Sequence, residues 1–192
     1  MSVLKVVQMG QPVLREPAAE VSQQEIRTDE FRRFVDDMVE TMRDYAGVGL
    51  AAPQVNVGKR VAVIEARPNP RYPDAPDLPL QVLVNPVVTP LTEELGFLWE
   101  GCLSIPGIRG LVNRPKRIRV QALDADGQPI DFEAEGFHAI VIQHETDHLN
   151  GILFIDRMKD LRKLAFQKEY ERFFAEPDDD ELPDQGLEGD NS

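Results

Sequence analysis

Two histidines one helical turn apart, with a glutamate beside the first, constrain this chain more than any other feature. In the run QHETDHLNG, His144 and His148 are four residues apart and Glu145 follows the first. An α-helix turns about 3.6 residues per revolution, so the two rings sit roughly 40° apart on one face. Phe137, Ile140 and Val141 fall on that same face, so the histidines extend an apolar stripe that points inward. The spacing predicts a buried helix from Gly136 to His148 or Leu149, with Gly151 marking its exit. One divalent cation can take both imidazoles, and Glu145 stands close enough to exchange protons with a water on that cation. This H-E-x-x-H arrangement points to metal-assisted hydrolysis and leaves the third ligand open.

The chain holds a single cysteine, Cys102 in the run EGCLS, so no intrachain disulfide can form. An isolated cysteine is ordinarily a small buried hydrophobe. Here it is also the candidate third ligand, and a thiolate with two imidazoles suits Fe²⁺, Zn²⁺, Co²⁺ or Ni²⁺. Such a site keeps one position for water, whose pKa the metal lowers from about 16 toward 7. Glu145 could take the proton of that water and return it to a leaving amine.

At 192 residues the chain suits one domain with a sizeable core, or one domain plus a tail. Its net charge of -13 is unevenly spread: residues 176–192 carry eight acidic side chains and no basic one, leaving 26 acidic against 21 basic residues elsewhere. That stretch has too little apolar surface to offset ordering entropy, so residues 1–175 are expected to form the catalytic domain and 176–192 an acidic, disordered tail. No apolar run approaches the roughly 20 residues that cross a bilayer, and the start MSVLKVVQMG lacks a signal-peptide pattern. The expected location is cytoplasmic, with no membrane and no DNA partner.

Periodicity adds a first helix from about Thr28 to Tyr45, with Phe31, Phe34, Val35, Met38, Val39 and Met42 on its core face, Thr28 as cap and Gly47 at its end. Strand-like runs follow at residues 60–66, 81–89, 117–124 and 129–133, the last two joined across Ala125, Asp126 and Gly127. The proline-rich stretch 68–79 reads as an extended surface loop. A final helix is expected over residues 160–174, with Leu161, Leu164, Ala165 and Phe173 on one side. Strands with hairpin connections followed by helices indicate an α+β fold, a single compact domain with antiparallel strands around a central metal-binding helix.

Two other readings stay open on the residues alone. A zincin-like endopeptidase would take a downstream acid such as Glu169 as third ligand, which leaves Cys102 unexplained. A non-catalytic metal-stabilised module would need four protein ligands, and the remaining histidine, His138, lies on another face of its helix. A third run, GVGLAAPQ from Gly47 to Gln54, offers close backbone approach at its glycines and an amide donor at Gln54.

Together, GVGLAAPQ, EGCLS and QHETDHLNG resemble the three signature motifs of the peptide deformylase family, complete at the characteristic positions and in the same order. The likeness covers roughly Val3 to Phe174. It implies a cytosolic hydrolase that removes the formyl group from the N-terminal formylmethionine of newly made polypeptides, releasing formate. By the same likeness, Cys102, His144 and His148 bind the metal, natively Fe²⁺. Glu145 is the general acid and base, and Gln54 with the backbone N–H of Leu103 stabilises the oxyanion. Val48, Gly49 and Gly101 pair with the extended peptide, Phe137, Ile140, Val141 and the His144 ring line the methionine pocket, and Arg109 lies near the peptide path. Glu100, Arg114 and Asp147 correspond to charged positions behind the site, with a structural ion pair as the simpler role. Some bacterial relatives dock on the ribosome through a basic C-terminal helix. Here Lys159, Arg162, Lys163, Lys168 and Arg172 are followed by strong negative charge, which opposes contact with ribosomal RNA.

Overall fold

The computed structural model describes residues 2–69, 72 and 75–175. After a short helix α1 (Gln23–Ile26), helix α2 spans Asp29–Asp44, and the Thr28 hydroxyl accepts the Phe31 N–H at 3.1 Å, as its cap position requires. Phe31, Val35, Met38, Val39 and Met42 are buried, while Phe34 is only partly covered. Burial of a side chain as large as Met38 or Met42, both fully enclosed, contributes roughly 1.5–3 kcal/mol. The helix exit differs from expectation in one respect. The left-handed residue is Ala46 (φ 49°), whereas Gly47 sits at a tight approach: a Cβ there would lie 3.2 Å from Leu103 Cδ1 and 3.3 Å from the Met42 carbonyl, so those neighbours would have to give slightly.

Three strands follow, β1 (Gly49–Ala51), β2 (Val61–Ala66) and β3 (Leu78–Pro90), each antiparallel to the next. A hairpin, β4 (Leu95–Cys102) and β5 (Ile105–Pro115), leads to a second hairpin, β6 (Arg117–Leu123) and β7 (Pro129–Glu135). Gly127 turns the second hairpin with φ 76°, and Ile118 and Val120 face inward between exposed Arg117, Arg119 and Gln121. The strands form two sheets: five in the order β1-β2-β3-β6-β7, and three in which β5 lies between β4 and β8 (Leu164–Phe166).

Helix α3 (Gly136–Leu149) crosses the larger sheet, burying Ala139, Val141 and Ile142 against Ile64, Leu83, Ile118 and Val120. A separate cluster joins Cys102, Ile105 and Val112 to Leu153 and Phe154, the latter in helix α4 (Phe154–Arg157). The helix over Gly136–Leu149 and the exit at Gly151 (φ 73°) agree with the sequence pattern. The architecture is α+β, antiparallel strands around one buried helix, as expected.

Two expectations need correction. The expected strands did not include the hairpin β4–β5, and Cys102 is the last residue of its first strand. The helix expected over residues 160–174 is broken into a single 3-10 turn (Leu161–Lys163), β8 and helix α5 (Gln167–Phe173). The free edge of β5 pairs with β8, Ile108 opposite Phe166 and Gly110 opposite Leu164, and those ladder bonds override a weak helical period. Of the residues expected on one side of that helix, Leu161, Leu164 and Phe173 are exposed. Pro70, Pro73 and the acidic stretch 176–192 lie outside the described residues. Among the described residues, no helix is long and apolar enough to cross a membrane.

Candidate metal centre and active site

Cys102 ends β4 so that its side chain points at the buried face of α3, and the helical spacing of His144 and His148 delivers two rings to the same point. Their ligand atoms all lie within 4.8 Å of one another. Cys102 Sγ is 3.2 Å from His148 Nε2, and the two imidazole rings are 5.0 Å apart and nearly perpendicular. Donor atoms this close suit a single ion with bonds of about 2.0–2.3 Å.

The charge state of the cluster favours a cation. Burial would raise the Cys102 thiol, but the adjacent imidazoles outweigh it and hold the pKa well below the usual thiol range. The backbone N–H of Ser104 and the amide of Gln54 also reach the sulfur, at 3.4 and 3.5 Å. Glu100 places a second negative group behind His144, its Oε2 2.7 Å from Nδ1, which reserves the other ring nitrogen for the cluster. Burial opposes ionisation of Glu100 too, yet its bonds to His144 and Arg114 bring it down to about 2. His148 Nδ1 and Glu145 Oε2 are buried without a hydrogen-bond partner among the described residues. A thiolate and two imidazoles aimed at one point fit a divalent metal, because the cation would take the place of the proton that, against the pull of burial, Cys102 and Glu100 otherwise draw onto the His144 ring, which they hold well above its ordinary pKa.

Glu145 is poised differently from its neighbours. Burial pushes its carboxyl up to about 7, with the flanking imidazoles pulling the other way. Its side chain lies against Gly49, where any Cβ would overlap the carboxylate. Gln54 sits in the 3-10 turn Ala52–Val55 just after β1. Its Oε1 accepts the Ala51 N–H at 2.8 Å, which turns the amide nitrogen toward Cys102 and Ser104.

One cavity joins these parts. Val48, Gly49, Gln54, Gly101, Cys102, Leu103, Phe137, Ile140, Val141, His144 and Glu145 all line it. β1 is an edge of the larger sheet and β4 an edge of the smaller one, and both border the cavity. Of the other anticipated residues, His148 is enclosed behind the wall at 1 % exposure. Arg109 is buried behind Gly101, its Nε donating to Gln167 Oε1 at 2.7 Å and its guanidinium lying over the Tyr72 ring. His138 is apart from the cluster, 2.8 Å from Gln81 Oε1 and stacked on Phe132. Glu169 does not join any metal-binding group among the described residues.

The sequence reading missed Tyr72, Leu98 and Ser104. Leu98, Glu100 and Cys102 alternate along one face of β4, a period of two that would have exposed them had the strand been recognised. Tyr72 is held edge-on against Phe137 and carries no signal beyond being the aromatic of a proline-rich loop.

Residues 3–164 match the family model described as polypeptide deformylase. The chain belongs to the polypeptide deformylase family. Peptide deformylase 1 of Nitrosomonas europaea is 52% identical over 161 residues, 84% of this chain and 90% of that protein. Peptide deformylase of Leptospira biflexa is 44% identical over 170 residues, 88% of this chain and 95% of that protein. The crystal structure of Met-Ala-Ser-bound class I type b peptide deformylase from Acinetobacter baumannii superposes with a TM-score of 0.80 at 44% identity, covering 82% of this chain and all of that one. Deformylases are metal-dependent hydrolases that remove the N-formyl group from the start of new polypeptides, and this chain is one of them. The expectation of a metal-dependent amide hydrolase is thereby borne out, and the endopeptidase and interaction-module readings fall.

Proposed function

We propose that Cys102, His144 and His148 hold one divalent metal, Fe²⁺ natively with Zn²⁺, Ni²⁺ or Co²⁺ as substitutes, and that the chain deformylates N-formylmethionyl nascent peptides in the cytoplasm. The observation that carries this reading is the approach of the lone sulfur to His148 Nε2 at 3.2 Å, beside Glu145, whose buried Oε2 has no hydrogen-bond partner among the described residues. When bound, the metal acts as a Lewis acid and lowers the pKa of a water toward 7.

The chain's own residues do the rest. An extended formylated N-terminus adds between the edges of β1 and β4, its main chain pairing with Val48, Gly49 and Gly101. Phe137, Ile140, Val141 and the His144 ring receive the methionine side chain. Glu145, with a carboxyl near 7, takes a proton from the attacking water. The water oxygen bonds to the formyl carbon as the carbonyl becomes an oxyanion, which Gln54 Nε2 and the Leu103 N–H stabilise. The C–N bond then breaks, Glu145 returns the proton to the amine nitrogen, and formate leaves. Arg109 serves this path indirectly, bracing Gly101 from behind. Contact with the ribosome is not built into this proposal, because eight acidic residues after position 175 oppose an RNA surface.

Anaerobic purification with metal analysis, followed by a formate-release assay on formyl-Met-Ala-Ser, tests the proposal. Stoichiometric iron and rapid formate release are expected, with no reaction on acetylated peptide. Turnover that survives complete metal removal would contradict it.

A further inference from the structure

We propose that Arg157 is a positioning residue for the metal centre, acting on His144 through Asp147, Arg114 and Glu100. The inference rests on the reading of Cys102, His144 and His148 as ligands. Arg157, at the end of α4, grips Asp147 with two bonds, Nη2 to Oδ1 at 2.6 Å and Nε to Oδ2 at 3.1 Å. The same Asp147 Oδ2 accepts Arg114 Nη1 at 2.8 Å. Arg114 then donates to both oxygens of Glu100, at 2.6 and 3.0 Å, and Glu100 Oε2 meets His144 Nδ1 at 2.7 Å. Four hydrogen-bonded links thus connect a half-exposed arginine to one ring of the centre.

Charge makes the outer link matter. Glu100, Arg114 and Asp147 are all buried, two carboxylates facing one guanidinium. Arg157 supplies the second positive charge, which leaves Arg114 free to give Nε and Nη2 to Glu100. Without it, Asp147 has Arg114 as its remaining cation and draws that guanidinium toward itself, loosening Glu100 and with it the tilt of His144. Helix α4 also contributes Phe154, whose ring stacks on His144 at 6.2 Å between centroids. One short helix therefore fixes His144 from two sides. Arg157 borders a separate cleft on the far side of α3, lined by Gln143, Thr146, Asp147 and Asn150, so it acts without entering the substrate cavity.

The test is titration of the metal-free full chain with Co²⁺ against a chelator, read by affinity and by the visible absorption bands, alongside kcat and KM. R157A is expected to weaken Co²⁺ binding by roughly 3- to 10-fold, below the 10- to 100-fold typical of a residue bonded directly to a ligand. Its bands shift, and kcat falls while KM holds. R157K keeps the charge but not the two-pronged grip, so it falls between, and it carries the test if R157A does not fold. In a D147N background, R157A should add nothing. Wild-type affinity and bands in R157A and R157K, even with a lowered melting temperature, would reduce Arg157 to a structural ion pair and overturn the proposal. Full additivity with D147N would do the same. C102A separates the underlying reading: if it binds Co²⁺ like wild type, the ligand assignment fails, whereas loss of binding there with unchanged R157A and R157K condemns the relay alone.

Discussion

His144 Nδ1 lies 2.7 Å from Glu100 Oε2, and this contact fixes which ring nitrogen faces Cys102. Glu100 comes from β4, two residues before the cysteine, so a single strand supplies both the sulfur and the group that orients the opposing ring. Because Glu100 is locked to Arg114, the carboxylate stays ionised in an enclosed setting.

That arrangement has a pH signature. Glu100 has a folded-state pKa of about 2 against an ordinary 4.5. A depressed carboxylate stabilises the fold fully above its unfolded value, and the contribution is lost as pH falls from 4.5 toward 2. Urea unfolding across this range should show a steep loss of stability in the wild type and a shallower slope in E100Q. E100A leaves Arg114 buried and under-compensated and is expected to cost about 3–5 kcal/mol at neutral pH. Parallel slopes for wild type and E100Q would refute the assignment.

Glu145 is expected to matter for turnover and not for metal retention. E145Q should lower the rate of formate release by roughly 10²- to 10⁴-fold, with metal content unchanged. Its melting temperature should hold or rise, because the substitution removes an ionisable carboxyl that is desolvated and whose Oε2 has no partner among the described residues. Loss of metal from E145Q would move this residue from proton transfer to ligation.

Gly49 tests how tightly the proton carrier is held. A Cβ at this position would overlap the Glu145 carboxylate, so G49A must displace the acid or the edge of β1. A fall of kcat/KM by at least about tenfold, equivalent to 1.4 kcal/mol, is expected with the far-UV circular dichroism unchanged. Wild-type kinetics for G49A would show that the strand edge has slack.

Sequence legibility followed how local each signal is. Helices α2 and α3 could be read because their apolar residues recur at helical spacing and a threonine or glycine marks an end, and the cluster Cys102, His144 and His148 followed from ligand chemistry. The hairpin β4–β5 was hidden because Gly96, Gly101, Pro106, Gly107, Gly110 and Pro115 interrupt any local strand pattern, and only pairing across the hairpin holds the segment extended. β8 was hidden for the same reason: Leu164–Phe166 is extended because β5 offers an edge, a fact no local window contains. Leu98 reaches the cavity through the β4–β5 pairing and Tyr72 through its packing on Phe137 of α3, so both escaped notice as well.

Residues 176–192 are expected to be dispensable for the chemistry. A chain ending at Ala175 keeps Trp99 packed against Tyr170 and Phe174, and retains every residue assigned to the site. Its melting temperature and its formate release from a tripeptide should match those of the full chain within error. A drop of several degrees on truncation would assign the acidic stretch a place in the folded domain.

X-ray absorption at the metal edge of the anaerobically loaded protein asks the decisive question. One sulfur at about 2.3 Å and two imidazole nitrogens at about 2.0–2.1 Å are expected, with the sulfur shell absent from C102A. A wild-type spectrum fitted by nitrogen and oxygen alone would remove Cys102 from the centre and contradict the account.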